Sequence, residues 1–451
     1  MILLFVHGYS TIHTDSYGYL PEALAAQNPA LQVEHIYLGR YISFADHVRL
    51  DDISRAFDTA RKDVIGEASF AAITHSTGGP VVRNWARLFF SGTKAKDIPL
   101  SHLIMLAPAN HGSTLAILAK HALKRLECWI NSTQIGEKVI EWLKLGSQGS
   151  LQVNLDWLQQ SHQGAGYYPF VLTGQKIEHE ALNYIDTYLS EDGSDGVVRT
   201  SSANLNFIYA QLEQQDTQLK LSAAGLQAPR HTPFLLLPKA CHGGKRYGIM
   251  KSVQQRNAHQ KPVVQHTLEC LAVDSSEGYQ QLAHKFRQQT QQTELQEKAR
   301  LCTMLIFRIQ DQYGNDDFEF ELLLLAGAKQ QPHRLPKGFF IDRQRNSDTP
   351  NCLTYYLDCK KMRRIQDQQL SIRISGFPTE GFTFYRPATF TLSPAQLETI
   401  FQPHQTVIFD ICLHRCIDQN TMRFDPLQEG RRAFNHSQAS GTTIPDEGTS
   451  R

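Results

Sequence analysis

Thr-His-Ser-Thr-Gly, residues 74–78, is the stretch that decides the fold, because its serine stands between two different sequence patterns. The apolar run 69–73 before it predicts a short buried strand, and the segment after it repeats apolar residues at helical spacing. A serine on a sharp strand-to-helix turn is typical of a nucleophile elbow, whose usual pattern is G-x-S-x-G. Thr74 replaces the first glycine of that pattern. The alternative is that Ser76 only caps the helix.

Such a turn points the serine hydroxyl away from the sheet and presents N–H groups at the start of the helix. These groups can stabilise the oxygen that becomes negative during acyl transfer. We predict the backbone N–H of Thr77 as one donor of this oxyanion hole and that of Tyr9, after the first strand, as the other. Gly8 and His75 are predicted at the substrate side, although a histidine beside a nucleophile more often serves packing.

A strand-and-helix alternation fills the first 298 residues and predicts an α/β fold with a mostly parallel sheet. The predicted strands are 2–6, 32–38, 69–73, 102–106, 169–173, 205–209 and 234–237. Because a catalytic acid and a histidine normally follow the nucleophile along the chain, they are sought behind the later strands.

The acid is predicted to be Asp195, because Ser-Asp-Gly-Val-Val at 194–198 places a carboxylate on a tight turn before apolar residues. Asp186 and Asp192 are rival candidates. His242 follows the last predicted strand and is assigned as general base and acid, with Asp195 holding its tautomer. The rival His231 precedes that strand.

An insertion at about 112–164 contains two helical patterns rich in large apolar residues, including Trp129 and Trp142. We expect it to form a lid and an acyl-chain pocket, so both tryptophans are predicted to contact substrate. The alternative is a helical cap that only buries core.

The character of the chain changes after a Gln-rich helical connector at 281–298. Residues 299–428 predict a β-sandwich-like accessory domain, and 429–451 a mobile tail poor in apolar groups. The catalytic α/β domain is accordingly assigned to 1–298. The predicted strands of the second domain are 304–309, 318–325, 353–357, 370–374, 382–385 and 407–413.

The composition is that of a globular protein, with 41% hydrophobic and 20% charged residues. The 45 basic and 44 acidic residues give a net charge of +1, so nucleic acid is not an expected partner. The eight cysteines include no C-x-x-C pair, and we predict free thiols and no metal or other cofactor. Bridges Cys352–Cys359 and Cys412–Cys416 are the alternatives.

The start of the chain, Met-Ile-Leu-Leu-Phe-Val-His-Gly, lacks the basic region and cleavage site of a signal peptide. We therefore expect a cytoplasmic protein as synthesised, or one exported by a system that reads no N-terminal signal.

Four separated pieces, V-H-G-Y, T-H-S-T-G-G, S-D-G-V-V and C-H-G-G, occur in the order expected for one site. Together they resemble the lipase and esterase branch of the α/β-hydrolases. The likeness is greatest to the lecithin–cholesterol acyltransferase-like and glycosylphosphatidylinositol-deacylase-like groups, and it covers about the first 250 residues. The resemblance implies an α/β-hydrolase fold and cleavage of carboxylic esters, commonly of lipids. It also resembles lipase effectors of bacterial type VI secretion, which implies membrane phospholipid as substrate and a delivery or immunity protein as partner.

The leading hypothesis is thus a serine hydrolase that cleaves lipid acyl esters through an acyl-enzyme. The alternatives are a cytoplasmic esterase or acyltransferase acting on a soluble ester, and a non-catalytic hydrolase-like binding protein.

Overall fold

The structure, a computed structural model, describes residues 1–7, 16–43, 45–116, 136–177, 191–346, 348–365, 369–378 and 383–417. Within these ranges no helix combines the length and the apolar character needed to cross a membrane. The cysteines in the same ranges are free thiols, so neither alternative bridge forms.

Six parallel strands form the first sheet and confirm the predicted α/β fold. They are β1 (Ile2–His7), β2 (Gln32–Tyr37), β3 (Phe70–His75), β4 (Leu100–Leu106), β5 (Tyr168–Thr173) and β8 (Phe234–Leu236). Their spatial order is β2-β1-β3-β4-β5-β8. The central strands consist almost entirely of apolar residues because helices cover both faces of such a sheet.

Helices occupy both sides of this sheet and short helices stand between later strands. The helices are α1 (Leu20–Gln27), α2 (Leu50–Ile65), α3 (Gly78–Phe89), α4 (Glu137–Leu143), α5 (Gln148–Gln163), α6 (Thr200–Ala203), α7 (Pro262–Leu271), α8 (Ser276–Gln296), α9 (Cys359–Met362) and α10 (Pro394–Ile400). Single 3-10 turns occur at Leu38–Arg40, Gly92–Asp97, Thr114–Ala116, Ala258–Gln260 and Pro332–Arg334. Helices α2, α3 and α5 share the core on one face, while α1, α7 and α8 share it on the other. The Gln-rich segment predicted as a connector is therefore a packed helix, with Phe286 fully buried.

The second sheet is large and mixed, and it confirms the β-rich character predicted for the C-terminal region. Its strands are β6 (Ile208–Gln215), β7 (Gln218–Gln227), β9 (Cys302–Asp311), β10 (Glu319–Ala326), β11 (Phe340–Arg345), β12 (Cys352–Asp358), β13 (Leu370–Phe377), β15 (Ala388–Leu392) and β16 (Gln405–Leu413). They lie in the order β10-β13-β15-β7-β6-β16-β9-β12-β11. A separate ribbon pairs β14 (Thr383–Tyr385) with β17 (Arg415–Ile417).

The strand predicted at 205–209 within the parallel sheet is wrong. The chain leaves that sheet after β5, and 208–215 instead forms β6, which pairs in parallel with β16 and antiparallel with β7. Buried and more exposed residues alternate along β6, unlike the continuous burial of the parallel strands. That alternation is typical of a strand with one face near solvent.

The two sheets share one hydrophobic core. Met304 and Ile306 of β9 and Tyr356 of β12 pack in the same cluster as Val81 and Trp85 of α3. The second sheet therefore adjoins the helical layer that carries the elbow helix.

Candidate active site

Ser76 occupies a strained turn between β3 and α3. Its φ is 53°, in the left-handed region that residues other than glycine rarely adopt. Thr77 caps the helix, and the N–H of Ser76 donates to the carbonyl of Leu106 at 3.1 Å. Backbone strain of this kind concentrates at functional positions. The geometry is that of the predicted nucleophile elbow, and Thr77 lies at its helix start.

Thr74 fits at the first elbow position because Gly78 lies opposite it. A Cβ placed on Gly78 would lie 3.3 Å from the Cβ of Thr74, tighter than an ordinary contact. Strand and helix approach closely at this crossing, so a side chain at 78 would require Thr74 or the helix to shift by a few tenths of an ångström.

Asp195 is held by its own turn. Its Oδ1 accepts the N–H groups of Val197 at 3.0 Å and Val198 at 2.8 Å, and the side chain is fully buried. Gly196 has a φ of 99°, which glycine adopts without steric cost. The rival Asp192 is instead 60% exposed and paired with Arg300 at 2.9 Å. The other rival, Asp186, lies outside the described residues.

The structure brings His242 and Asp195 together although they are far apart in sequence. His242 Nδ1 lies 2.9 Å from Asp195 Oδ2, and the backbone N–H of His242 donates to the Asp195 carbonyl at 3.0 Å. With the proton on Nδ1 donated to the carboxylate, the lone pair of a neutral ring is on Nε2. Nε2 is buried and has no hydrogen-bond partner in the part of the chain that the structure describes.

The loop that carries His242 is folded back tightly. Cys241 N–H donates to the Tyr247 carbonyl at 2.9 Å, and Ile249 N–H donates to the Cys241 carbonyl at 2.8 Å. A Cβ on Gly248 would lie 2.2 Å from the carbonyl oxygen of Gly244, so only glycine permits this approach.

His75, predicted at the substrate side, connects the elbow with the loop of His242. Its ring lies 4.5 Å from the His242 ring, and its Nε2–H donates to the His242 carbonyl at 3.1 Å. Burial, followed by the neighbouring His242, holds the pKa of His75 well below its ordinary value. His242 therefore lies directly beside His75, the residue that precedes Ser76.

The rival histidine, His231, lies elsewhere. Its Nε2 is 3.2 Å from a guanidinium nitrogen of Arg287 on α8. It lines a cavity with Arg287 and Glu294, away from the contacts that join Asp195 and His242.

The end of β1 leads to the predicted oxyanion loop. His7 Nδ1 lies 2.5 Å from the Ser16 hydroxyl, and Nε2 lies 2.9 Å from His35 Nδ1. Burial and, second, His35 lower the pKa of His7 to about 3. Gly8 and Tyr9, predicted as substrate contact and oxyanion donor, lie outside the described residues.

The predicted lid is described only in part. Trp129 falls outside the described residues. Trp142, on α4, is 8% exposed, and its ring fills the space above Gly149, where a Cβ would lie 2.4 Å away. Trp142 also borders a cavity of about 460 Å³ whose lining includes Arg49 and Glu141.

A buried polar cluster behind the elbow helix includes Arg83, which the sequence reasoning missed. Arg83 donates to Asn110 Oδ1 at 3.0 Å and Asn154 Oδ1 at 3.1 Å, and burial lowers its pKa to about 10. His111 Nδ1 lies 3.2 Å from Asn154 Nδ2; burial and then Arg83 lower the His111 pKa to about 3. In the sequence, the only sign of this cluster was Arg83 itself, a single charged residue within the apolar first half of α3.

Within the described ranges, no group of three or more His, Cys, Asp and Glu side chains is arranged to hold a metal ion.

The solved structures that match this chain over nearly its whole length include the following two. Phospholipase PlaB from Legionella pneumophila is 37% identical with a TM-score of 0.88, covering 99% of this chain and 98% of that one. The same enzyme in complex with thio-NAD is 36% identical with a TM-score of 0.86, covering 98% and 100%. No protein-family profile and no curated protein matches the sequence.

Proposed function

The chain belongs to the family of phospholipase PlaB and is a serine ester hydrolase, and from this premise we propose that Ser76, Asp195 and His242 cleave phospholipid acyl esters. Ser76 is the nucleophile, His242 the general base and acid, and Asp195 the residue that holds the imidazole. The likeness to PlaB over the whole chain supports phospholipid, rather than a soluble ester, as the substrate.

The observation that carries this proposal is the buried pair of Asp195 and His242, whose imidazole packs against His75, the residue before the strained Ser76. The carboxylate accepts two backbone N–H groups and the imidazole N–H, so its orientation is determined before substrate binds. The unpartnered Nε2 of His242 is the one ring atom left to accept a proton. No hydrogen bond joins Ser76 to Nε2 here; such bonds are often long without substrate and shorten in the reacting complex.

The reaction follows from these positions. His242 Nε2 takes the Ser76 hydroxyl proton as the Ser76 oxygen attacks the ester carbonyl. The tetrahedral intermediate collapses when the alcohol oxygen of the lysophospholipid leaves with that proton, and an acyl-Ser76 ester remains. Water then attacks this ester, gives its proton to Nε2, and the fatty acid departs as Ser76 recovers its hydrogen.

The oxyanion is stabilised by backbone N–H groups in this proposal. Thr77 lies at the N-terminus of α3, where the helix dipole favours negative charge. Tyr9 stays the proposed second donor. Donors of this type typically contribute about 10²–10³ in rate.

The test is fatty-acid release from phosphatidylcholine and phosphatidylglycerol vesicles by the wild type and by Ser76→Ala. We expect the variant to lose about 10⁶-fold in rate, as when a serine nucleophile is removed. Ser54→Ala is the matched control, because Ser54 is also buried and hydrogen bonded but lies on α2.

Equal release by wild type and Ser76→Ala would exclude Ser76 as the nucleophile. Hydrolysis of short soluble esters without fatty-acid release from vesicles would contradict the phospholipid assignment. The protein would then still be an ester hydrolase, with a soluble substrate.

The complex of PlaB with thio-NAD supports a second proposal, that this chain also binds a dinucleotide of that class. We expect thio-NAD to raise the melting temperature of the purified protein, and adenosine monophosphate at equal concentration to raise it less. An unchanged melting temperature at millimolar thio-NAD would contradict this proposal.

A further inference from the structure

Residues 191–204, which we call the acid loop, carry Asp195 between the two sheets. They lie within the connection from β5, in the parallel sheet, to β6, in the nine-stranded sheet. The turn at Asp195 closes on its own backbone. The rest of the loop contacts the segment after β4, where Ser113 donates to the Val197 carbonyl at 2.6 Å and Asn110 donates to the Ala203 carbonyl at 2.7 Å, and it also contacts the second sheet. The position of Asp195 relative to His242 therefore depends on how those contacts hold the loop.

Arg199 links the loop to the second sheet and is 1% exposed. Its guanidinium donates to Glu191 at 2.9 and 2.6 Å, within the acid loop, and to Asp342 of β11 at 2.5 Å. The same guanidinium stacks 4.1 Å from the ring centre of Tyr356 on β12. Arg199 thus joins the acid loop to two neighbouring strands of the second sheet.

The buried positive charge of Arg199 depends on its two carboxylate partners, Glu191 and Asp342. A buried guanidinium is tolerated only when paired, and removing one partner leaves a charge that must rearrange or regain water. The planar fork of arginine matches two carboxylates and one aromatic face at once, which a lysine cannot do. Loss of Asp342 is consequently expected to move Arg199, which is separated from Asp195 by only three residues.

Tyr356 also holds the loop on the other side of Asp195. Its hydroxyl donates to the Gly193 carbonyl at 3.1 Å. A Cβ on Gly193 would lie 2.3 Å from that hydroxyl oxygen and 3.2 Å from the Cys302 sulfur. The backbone two residues before Asp195 therefore rests directly on the second sheet.

The end of the acid loop is held by the segment that enters β16. Thr200 and His404 are joined at 2.8 Å, Asn204 donates to the His404 carbonyl at 2.8 Å, and Thr406 donates to the Ser201 carbonyl at 2.8 Å. Contacts from the second sheet thus lie on both sides of the aspartate.

We infer that Arg199, Asp342 and Tyr356 are positioning residues, through which the nine-stranded sheet holds Asp195 in line with His242. This inference rests on the proposed function of Ser76, Asp195 and His242. By this inference the second sheet affects catalysis through the position of Asp195.

The experiment measures the reaction of Ser76 with a lipid-like fluorophosphonate, which reports nucleophile reactivity directly. We expect Asp342→Asn to lower the maximal labelling rate on the order of tenfold, the cost of a small displacement far from the reacting atoms, with the concentration at half-maximal rate unchanged. Asp342→Glu keeps the charge and should restore most of that rate. A purely structural role would lower the melting temperature without this selective loss and rescue.

Asp410→Asn is the matched control. Asp410 pairs with Arg308 between β16 and β9 of the same sheet, at 3.0 Å from the Arg308 Nε, and does not contact the acid loop. It should lower the melting temperature and leave the labelling rate at the wild-type value. Equal slowing by Asp342→Asn and Asp410→Asn would overturn the inference, because the effect would then be general loosening of the sheet.

The outcomes separate this inference from the proposed function. If wild type is labelled at Ser76 and folded Asp342→Asn is labelled equally fast, the inference is wrong and the proposed function stands. If wild type is not labelled at Ser76, both fail. Should Asp342→Asn not fold, Tyr356→Phe removes the bond to Gly193 but keeps the ring under Arg199; labelling about threefold slower is expected, and a wild-type rate overturns the inference.

Discussion

At the scale of single residues, the neighbours of each aspartate in the acid loop decide which of them can pair with a histidine. Asp195 is fully buried, and its two oxygens are occupied by the Val197 and Val198 N–H groups and by the His242 imidazole. Asp192, only three residues earlier, is mostly exposed and faces Arg300. Two aspartates in one short segment thus have different environments, and only one is oriented toward a histidine.

At this scale we predict that Asp195→Asn lowers kcat by about 10⁴-fold, as loss of the acid does in serine proteases, because an amide cannot stabilise the imidazolium or select its tautomer. The asparagine oxygen can still accept the Val197 and Val198 N–H groups, so the fold should be kept. Steady-state hydrolysis of a micellar phospholipid measures kcat. Asp192→Asn is the control, and a comparable loss there would assign the acid to Asp192.

The elements β3 and α3 meet at a crossing where a second side chain would be tightly packed. Thr74 occupies it from the strand, and Gly78 leaves it free from the helix. A β-branched residue on a buried strand has little freedom to move aside. The elbow geometry of Ser76 and Thr77, which lie between these two positions, depends on that close approach.

At the scale of elements we predict that Gly78→Ala destabilises the protein by about 1–3 kcal/mol, as overpacking does, and lowers kcat by displacing the start of α3. The double variant Thr74→Gly with Gly78→Ala reopens the crossing and should recover activity. Urea unfolding and vesicle hydrolysis measure the two effects. An active, stable Gly78→Ala single variant would show that the crossing is looser than the 3.3 Å separation indicates.

The whole molecule is two sheets that share a core, with neutral histidines buried inside. His7 at the end of β1 and His111 after β4 both have pKa values lowered to about 3, chiefly by burial. An unfolded histidine binds a proton near pH 6.5, which these two do not bind in the folded state. The stability that these two histidines contribute by staying neutral is therefore fully present above pH 6.5 and is lost as the pH drops from 6.5 toward 3.

At this scale we predict that each of these two histidines lowers the free energy of unfolding by about 1.4 kcal/mol for each pH unit below 6.5. His111→Gln keeps an acceptor for Asn154 and removes the titration, so its free energy of unfolding should depend less steeply on pH. Urea denaturation at intervals from pH 7 to 4.5 measures both slopes. Identical slopes for wild type and His111→Gln would contradict this account of His111.

Several features were predictable because they depend on short stretches and on order along the chain. The strand–serine–helix pattern predicted the elbow at Ser76, and the Asp-Gly turn and the histidine after the last strand pointed to Asp195 and His242. Continuous apolar runs predicted the parallel strands, since such strands are buried on both faces. Export by type VI secretion and the roles of all the predicted site residues, from the triad Ser76, Asp195 and His242 to Gly8, Tyr9 and Trp129, stay predictions.

Sequence alone thus determined the α/β-hydrolase class and pointed to Ser76, Asp195 and His242 as the candidate triad, because local pattern and chain order contain that information. Only the tertiary structure decided that β6 belongs to the second sheet, that His75 contacts the His242 carbonyl, and that Arg199 reaches Asp342. Each of these depends on partners far along the chain, as when β6 pairs with β16, about 200 residues later. Spacing within one segment does not encode such pairings; they follow from how the two sheets bury their apolar faces together.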